Sequence, residues 1–267
     1  MKEKIISLLI SLILLNIIYA KERNSEIYYK KYLENPDNME NIKALAISYK
    51  NEKNYTKAID FYRLCITKEG DNSYYYHQLA LCHKLRGRPD IALEVVTNAL
   101  HYFENNFKLK LLYADILLEL GNISNAINTY ESLLKSTQKK NDIAYIYGKL
   151  GKCYLYLNNS ELSEKYLVES IKIKENEWSY YYLSKLYEEK DVEKALWAIK
   201  KAKSYCKNDE KDFFLNRFGY LLYKKGVALK DKGEKEKAKE TFKEFISKAE
   251  LKNTPYFEKV SYWMKRL

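Results

Sequence analysis

Glycine and proline are scarce in this chain, which has eight Gly and three Pro in 267 residues. β-Hairpins and sheets need many of these residues at their turns, so their scarcity disfavours a β-rich fold. No low-complexity linker divides the chain after residue 35. With 46% apolar and 31% charged residues, the sequence is also too apolar for intrinsic disorder. Together these absences favour an all-helical fold in one elongated domain.

Motifs of the common enzyme classes are missing as well. The sequence has no G-x-S-x-G, P-loop, G-x-G-x-x-G or H-E-x-x-H motif. His77, Cys82 and His83 are residue types that bind metals, but consecutive residues on a helix point about 100° apart. His83 also fills a packing position. We therefore predict that the protein is not an enzyme and has no metal site and no cofactor.

Cysteine is sparse, and four residues would make a thin disulfide framework for a chain of this length. The simplest interpretation is four small side chains on helices. A disulfide between Cys65 and Cys82 stays open, because both lie on helices that should be neighbours.

The first twenty residues have the pattern of a signal peptide. Two lysines precede an apolar run from Ile5 to Ile18, and Tyr19-Ala20 matches a cleavage site. As a helix, residues 5–20 would span about 24 Å, which is short of a hydrocarbon core of about 30 Å. We therefore predict a cleaved signal peptide at 1–20 and an exported protein, periplasmic or secreted. The alternative is an uncleaved anchor, with membrane contact through residues 5–20 only.

Basic residues outnumber acidic ones, and the formal net charge is +11. Such an excess is typical of proteins that bind nucleic acid, anionic membranes or polymers, or acidic proteins. The lysines are scattered along nearly every predicted helix, which is typical of solvated faces. An exported protein rarely meets nucleic acid, so we do not expect a nucleic-acid partner.

Small residues recur at a fixed interval, since Ala58, Ala92 and Ala126 are 34 residues apart. A large or aliphatic residue follows each of them four positions later, and these residues are Tyr62, Val96 and Tyr130. A fixed period of this size is typical of a repeat architecture, in which one supersecondary unit stacks on its neighbours. The later units are less regular and carry Ser163, Ala195 and Ala238 at the same place.

The pattern within each unit resembles the tetratricopeptide repeat. A large residue is followed by Leu, by Gly or Ala, and by Tyr; after a short turn come Ala, an aromatic residue and a small residue. In the second unit the pattern includes Tyr76, Leu79, Ala80, a turn at Gly87, and Ala92. The resemblance covers about residues 24 to 248. It implies an all-α fold, a right-handed α-solenoid (superhelix) of antiparallel helix pairs.

Along this frame we expect about six repeats at 39–248, between an N-terminal capping helix at 24–36 and a C-terminal capping helix at 254–267. Thr254 is predicted to be the N-cap of the last helix, with Pro255 at its first position. The connection at 206–215 is longer than the others, and the sequence leaves open whether it is helix or loop. Nine tyrosines occupy large packing positions of the repeats, and these are Tyr49, Tyr62, Tyr76, Tyr113, Tyr130, Tyr147, Tyr154, Tyr180 and Tyr187.

In the tetratricopeptide family, a second stripe on the first helix of each repeat lines a concave groove that binds peptides. Carried over to this sequence, the stripe supplies the residues that we expect to bind a partner: Tyr74, His77, Tyr145, Lys152, Trp178, Tyr181, Tyr182, Lys185, Tyr220 and Tyr223. Aromatic residues and lysines on one face suit a protein or peptide with apolar anchors and acidic groups. The family's clamp for a C-terminal carboxylate is not expected, because Ile47 stands where its Asn would be.

The sequence thus predicts an exported, non-catalytic scaffold that binds a peptide or protein in the concave groove. Two alternatives stay open. One is a periplasmic or membrane-tethered assembly factor that acts through its outer surface. The other is a binder of an anionic cell-wall polymer.

Overall fold

The computed structural model describes residues 24–267, so the predicted signal peptide at 1–20 lies outside the described residues. The described residues form fourteen α-helices and two short 3₁₀ helices, without a strand. None of these helices is long and apolar enough to cross a membrane. The prediction of an all-α fold is confirmed.

The chain divides into two compact units, where the sequence suggested one elongated domain. Unit 1 ends at Asn122. Its helices are α1 (Asn24–Glu34), α2 (Met39–Asn51), α3 (Tyr55–Lys68), α4 (Ser73–Leu85), α5 (Pro89–Tyr102) and α6 (Phe107–Glu119). The principal contacts join helices that are adjacent in sequence, and α4 also contacts α6.

Unit 2 runs from Ile123 to Leu267. Its helices are α7 (Ile123–Ser136), α8 (Lys140–Tyr156), α9 (Ser160–Ile173), α10 (Glu177–Tyr187), α11 (Val192–Tyr205), α12 (Lys211–Asp231), α13 (Lys235–Ser247) and α14 (Phe257–Met264). Helices adjacent in sequence again make the principal contacts, and α8 also contacts α10. Each unit therefore consists of helices that pack against their neighbours in the chain.

Close helix crossings explain why small residues recur. The six residues at the recurring place are all fully buried, and these are Ala58, Ala92, Ala126, Ser163, Ala195 and Ala238. In unit 2 a Cβ added at Gly226 would lie 2.3 Å from Cε1 of Phe242, which packs from α13. Two helices can approach this closely only where one of them has no side chain. The repeat spacing is thus a spacing of crossing points.

The turns within the helix pairs share one backbone conformation. Five of them contain a residue with positive φ, and these are Lys53, Gly87, Gly121, Asn158 and Gly233. The next amide donates to the carbonyl five residues earlier, as from Arg88 to His83 at 3.0 Å. This pattern is the Schellman motif, which ends a helix with a residue in the left-handed region. The turn between α10 and α11 has four residues, 188–191, where the other five have three, and it lacks a residue with positive φ.

The tyrosine predictions are only partly right. Tyr49, Tyr62, Tyr130 and Tyr180 are buried as predicted. The other five of the nine are half-buried, and these are Tyr76, Tyr113, Tyr147, Tyr154 and Tyr187. In the second unit Tyr75, one position earlier, is the buried ring, and its hydroxyl donates to Glu69 at 2.7 Å. A long ring can lie along a helix crossing while its hydroxyl end reaches solvent, so such a position need not be closed.

The structure corrects the sequence prediction at one segment and settles an open question at another. The predicted N-cap at Thr254 is wrong, because α14 begins at Phe257 and its N-cap is Tyr256. Thr254 instead ends the 3₁₀ helix Ala249–Asn253, and its hydroxyl donates to the carbonyl of Leu251 at 2.8 Å. The connection at 206–215, left open above, is a 3₁₀ helix at Asn208–Glu210 followed directly by α12.

Candidate functional site

Five aromatic rings of α10 and α12 form one cluster in unit 2. We call it the aromatic cluster; its members are Trp178, Tyr181, Tyr182, Phe213 and Phe214. Ring centroids of Trp178 and Tyr181 are 5.8 Å apart, and those of Tyr181 and Phe213 are 5.1 Å apart. Trp178 packs edge-on against the buried Phe214 at 5.5 Å while 39% of Trp178 stays exposed. The cluster is therefore anchored in the core and open to solvent.

Local sequence explains why these rings come together. The side chain of Asn176 accepts a hydrogen bond from the amide of Ser179 at 2.8 Å, which fixes the start of α10. Trp178, Tyr181 and Tyr182 then share a face at i, i+3 and i+4. On the other helix, the 3₁₀ helix before α12 places Phe213 in the first turn of α12.

A cleft of about 350 Å³ opens beside the aromatic cluster. Its lining residues are Tyr181, Phe213, Asn216, Arg217, Tyr220 and Tyr256. Tyr256 precedes α14 and packs against both Tyr220 and Tyr223, with centroids 5.6 and 5.7 Å apart. Aromatic rings thus form most of the lining, and two side chains with polar ends, Asn216 and Arg217, complete it.

Glu188, at the turn after α10, holds the polar side of the cleft in place. It accepts hydrogen bonds from Arg217, from Lys224 at 3.0 Å and from the hydroxyl of Tyr220 at 2.9 Å. Burial alone would raise the pKa of Glu188, but these three donors outweigh burial and hold the pKa below its usual value. The guanidinium of Arg217 also lies 5.1 Å from the centroid of the Tyr220 ring. The Arg217 side chain is therefore preorganised.

Lysines lie over the tyrosine rings of this surface. The ammonium of Lys152 is 5.4 Å from the ring centroid of Tyr182, and that of Lys185 is 6.0 Å from the ring centroid of Tyr181. Both distances fit a cation–π contact. Burial raises the pKa of Tyr182 to about 12, so its hydroxyl stays protonated. The surface therefore combines apolar rings with positive charge.

The structure brings seven of the ten predicted residues into this region. Lys152, Tyr182, Trp178, Tyr181 and Lys185 are linked through ring contacts, and Tyr220 and Tyr223 join through Tyr256. Tyr145, also in unit 2, is 42% exposed and contacts Lys149.

Tyr74 and His77 lie in unit 1. Tyr74 is exposed and packs edge-on against Tyr75 at 5.7 Å. Nδ1 of the half-buried His77 lies 3.2 Å from Nε2 of Gln78. Lys50 donates to Oε1 of the same amide at 2.7 Å. These contacts form a separate polar arrangement.

Sequence reasoning missed four residues of the cleft, namely Phe213, Asn216, Arg217 and Tyr256. A signal for two of them was present, because Phe213, Arg217 and Tyr220 are spaced i, i+4 and i+7. Extending the Tyr220 stripe back by two turns would have found them. Tyr256 gave no such signal, since it lies outside the repeat frame.

No group of three or more His, Cys, Asp or Glu in residues 24–267 is arranged to hold a metal ion. Cys65 and Cys82 are buried free thiols rather than a disulfide. Burial raises the pKa of both thiols to about 11, so neither is a reactive thiolate at neutral pH.

Three family models, each described as tetratricopeptide repeat, match the sequence. One matches residues 85–153, a second matches 220–249, and a third matches 44–67 and 144–177. Together these matches cover more than half of the chain. A search of curated proteins found no match.

Solved structures with a similar fold include a thermophilic TPR protein of Thermus thermophilus. It is 14% identical, with a TM-score of 0.59 over 69% of this chain and 98% of that chain. Pseudomonas aeruginosa PilF is 15% identical, with a TM-score of 0.57 over 80% of this chain and 95% of its own. A chain of the APC/C hetero-tetramer Cut9–Hcn1 is 16% identical, with a TM-score of 0.64 over 90% of this chain and 45% of its own. At these identities the similarity concerns the fold alone.

Proposed function

The chain belongs to the tetratricopeptide-repeat family, whose fold serves protein–protein interaction, and from this premise we propose that it is a non-catalytic scaffold that binds a peptide or protein partner at the aromatic cleft of unit 2. The observation that carries the proposal is that two of the predicted groove residues line one cleft and a third packs beside it. Tyr181 and Tyr220 line it, and Trp178 packs directly against Tyr181.

The lining of the cleft indicates what kind of anchor the partner presents. Tyr and Trp dominate binding hot spots, because they bury a large area at low entropic cost. A volume of about 350 Å³ lies in the range of ligand pockets and has room for a large apolar side chain. Asn216 and Arg217 can hydrogen-bond to carbonyl or carboxylate groups beside that anchor. We therefore propose that the partner inserts an apolar or aromatic side chain into the cleft.

The charge of the surface indicates what surrounds the anchor. Lys152 and Lys185 lie over half-buried tyrosine rings rather than against carboxylates, and the whole chain carries an excess of positive charge. Complementary charge favours binding and speeds association. We therefore propose that the partner has acidic residues next to its anchor.

Export is proposed from the N-terminal pattern. Two lysines, an apolar run and Tyr19-Ala20 match a cleaved signal peptide. The mass of the mature protein checks this directly. A chain that starts at Lys21 supports cleavage, whereas one that starts at Met1 indicates an anchor.

Selection from a displayed peptide library tests the binding proposal. We expect the selected peptides to combine an apolar anchor with acidic residues. We further expect Tyr181→Ala and Tyr256→Ala to weaken their binding at least tenfold, because each removes a wall of the cleft; truncation of a hot-spot residue typically costs about 2 kcal/mol or more.

The chain offers matched control variants. Tyr262 is 47% exposed and lies outside the cleft, so Tyr262→Ala should keep full affinity. Trp178→Ala is compared with Trp197→Ala, since Trp197 is also exposed, at 47%, but contacts Tyr180 instead. Circular dichroism shows whether each variant is folded. If folded cleft variants bind as tightly as the controls, the cleft assignment is wrong.

A further inference from the structure

Unit 2 has a second cleft, with a volume of about 230 Å³. Its lining comes from α8, from α10, from the turns that follow these two helices and from the first residue of α9. Leu155 of α8 and Leu186 of α10 are its apolar lining residues. Leu186 belongs to the core cluster of unit 2, and Leu155 packs against that cluster. The second cleft therefore opens onto the edge of the core.

The charged residues of the second cleft are positive on balance. Lys185 and Lys190 line it together with Glu189. Glu189 is already ion-paired with Lys224 of α12. In residues 24–267, neither Lys185 nor Lys190 is ion-paired with a carboxylate. Two ammonium groups at this cleft can therefore bind an anion.

Two uncharged polar residues, Asn158 and Ser160, complete the lining. Neither side chain makes a hydrogen bond within the described part of the chain. Asn158 has φ of 56°, at a turn position that glycine holds in three other turns. A side-chain amide, which can both donate to and accept from a peptide backbone, thus stands where those turns have none.

Lys185 links the second cleft to the aromatic cleft. Its ammonium is 6.0 Å from the ring centroid of Tyr181, which lines the aromatic cleft. Tyr181 and Leu186 are both on α10, and their spacing corresponds to about 7.5 Å along the helix axis. An extended chain advances about 3.3 Å per residue and points alternate side chains to the same side, so its residues i and i+2 are about 6.6 Å apart. One extended peptide can therefore reach both clefts.

We propose that the second cleft binds an aliphatic side chain of the peptide partner, and that Lys185 and Lys190 bind the carboxylate of the acidic residue next to it. This inference rests on the proposed function, because it takes the partner to be a peptide. A volume of about 230 Å³ lies below the usual range of ligand pockets but has room for one aliphatic side chain.

The two parts of the proposed ligand match the two parts of the lining. Contact with Leu155 and Leu186 removes the apolar surface of the aliphatic side chain from water. The ammonium groups of Lys185 and Lys190 are donors, and a charge-assisted hydrogen bond to a carboxylate is stronger than a neutral one. The partner then carries two anchors, a large one for the aromatic cleft and an aliphatic–acidic pair for the second cleft.

The second cleft can be tested with a short probe on the full chain. The probe is N-acetyl-leucyl-glutamyl amide, whose single carboxylate is the glutamate side chain. Two comparison probes have glutamine in place of the glutamate or alanine in place of the leucine. Binding is followed at constant ionic strength by NMR of leucine methyl groups. Leu155 and Leu186 report on the cleft, and Leu85, which is 47% exposed in unit 1, is the reference.

We expect the methyl resonances of Leu155 and Leu186 to shift saturably with the leucyl-glutamyl probe, and those of Leu85 to stay unchanged. Glutamine in place of glutamate should weaken binding about threefold, because an exposed ion pair contributes modestly. Alanine in place of leucine should weaken binding about tenfold, because most of the buried apolar area is lost.

A double variant tests the two lysines. Lys185→Gln combined with Lys190→Gln should abolish the preference for the glutamyl over the glutaminyl probe. The matched control combines Lys235→Gln with Lys243→Gln, which removes two exposed charges of α13 outside both clefts and should keep the preference.

The assignment is overturned if Leu155 and Leu186 do not respond, if the alanyl probe binds as tightly as the leucyl probe, or if the two double variants behave alike. Such a failure leaves the aromatic cleft untouched, because its own test uses Tyr181→Ala and Tyr256→Ala with peptides from the library. Loss of the aromatic-cleft assignment alone would likewise leave the response of the second cleft to its probe in place.

Discussion

His83 is a buried histidine whose ring makes no hydrogen bond with a described residue. Only 3% of it is exposed, and neither ring nitrogen has a partner among the described residues. Burial, followed by the positive charges of Arg63, Arg86 and Arg88, lowers its pKa below the usual value, and Asp90 opposes this only in part. The folded protein therefore holds His83 neutral at a pH where the unfolded chain already binds a proton.

The sign of the resulting pH dependence follows from linkage. The contribution of His83 to stability is complete above the unfolded pKa of about 6.5 and is lost as the pH falls towards the folded value. We expect the urea midpoint of the wild type to fall between about pH 7.5 and about pH 5.5. His83→Phe should flatten this dependence, because the unfolded chain then lacks that proton site.

His101→Gln is the control, since His101 is exposed, and it should leave the slope unchanged. His77, whose pKa is also lowered by burial, contributes to any slope that remains in His83→Phe. A slope identical to that of the wild type would contradict the assignment to His83.

At single residues, the sequence predicts packing better than exposure. The burial of Ala58, Tyr62 and His83 follows from the repeat spacing and is observed. The burial of Tyr75 in place of Tyr76 does not follow from the spacing. Consecutive side chains on a helix point about 100° apart, and either tyrosine can face a crossing. Which ring is buried depends on partners such as Glu69, which accepts from Tyr75.

At the level of elements, the turn after α2 contains strain that three of its four equivalents with positive φ avoid. Lys53 has φ of 61°, whereas glycine holds the same place in three of the other four turns with positive φ. A side chain in this region costs about 1–2 kcal/mol. Lys53→Gly should therefore raise the free energy of unfolding by about 1 kcal/mol, after some loss to the greater entropy of the unfolded chain.

Urea denaturation measures this gain. The control is Asn51→Gly, two residues earlier and still within α2, where glycine should lower stability because it is a poor helix former. If both variants are destabilised equally, the left-handed turn at Lys53 is not a source of strain.

Helix pairs could be predicted from the repeats, and irregular connections could not. The repeat frame has no information about residues 206–215, where a 3₁₀ helix leads into α12. The start of α14 was misplaced because Thr254-Pro255 is a valid helix start in isolation. In the folded chain the Thr254 hydroxyl is already used by the carbonyl of Leu251. This short-range hydrogen bond, to a carbonyl three residues earlier, competes with the helix start.

At the scale of the whole molecule, α14 covers the core of unit 2. Val260 is fully buried, and Phe257, Trp263 and Met264 pack against the same core cluster. Repeat stacks need covered ends to stay soluble. We expect Val260→Asp to release α14, because an unpaired carboxylate is costly to bury. Increased binding of a hydrophobic dye and self-association in light scattering would report the exposed core.

Tyr262→Asp is the matched control on the same helix. Tyr262 is 47% exposed, so the same charge there should leave the protein monodisperse. Aggregation of both variants to the same degree would show that the effect comes from the added charge and not from the uncovered core.

The candidate site also contains residues at repeat positions, which the sequence predicts, and residues in irregular segments, which it does not. Trp178, Tyr181 and Tyr220 could be predicted because they stand at repeat positions. Arg217 could have been found as well, because it lies one turn before Tyr220 on the same stripe, whereas Tyr256 could not, because it lies outside the repeats, just before α14. The electrostatic anchor Glu188 was also invisible, since it lies in the one inner turn that departs from the common form.

The sequence-local packing of the helices also bears on how the protein folds. Within each unit, the principal contacts join helices that are adjacent or next but one in the chain. Forming them closes only short loops, and proteins dominated by such contacts fold in microseconds to milliseconds. Ribosomes add about 5–20 residues per second, so each helix pair has time to dock long before the next is complete. Unit 1 can therefore bury its core while unit 2 is still being synthesised.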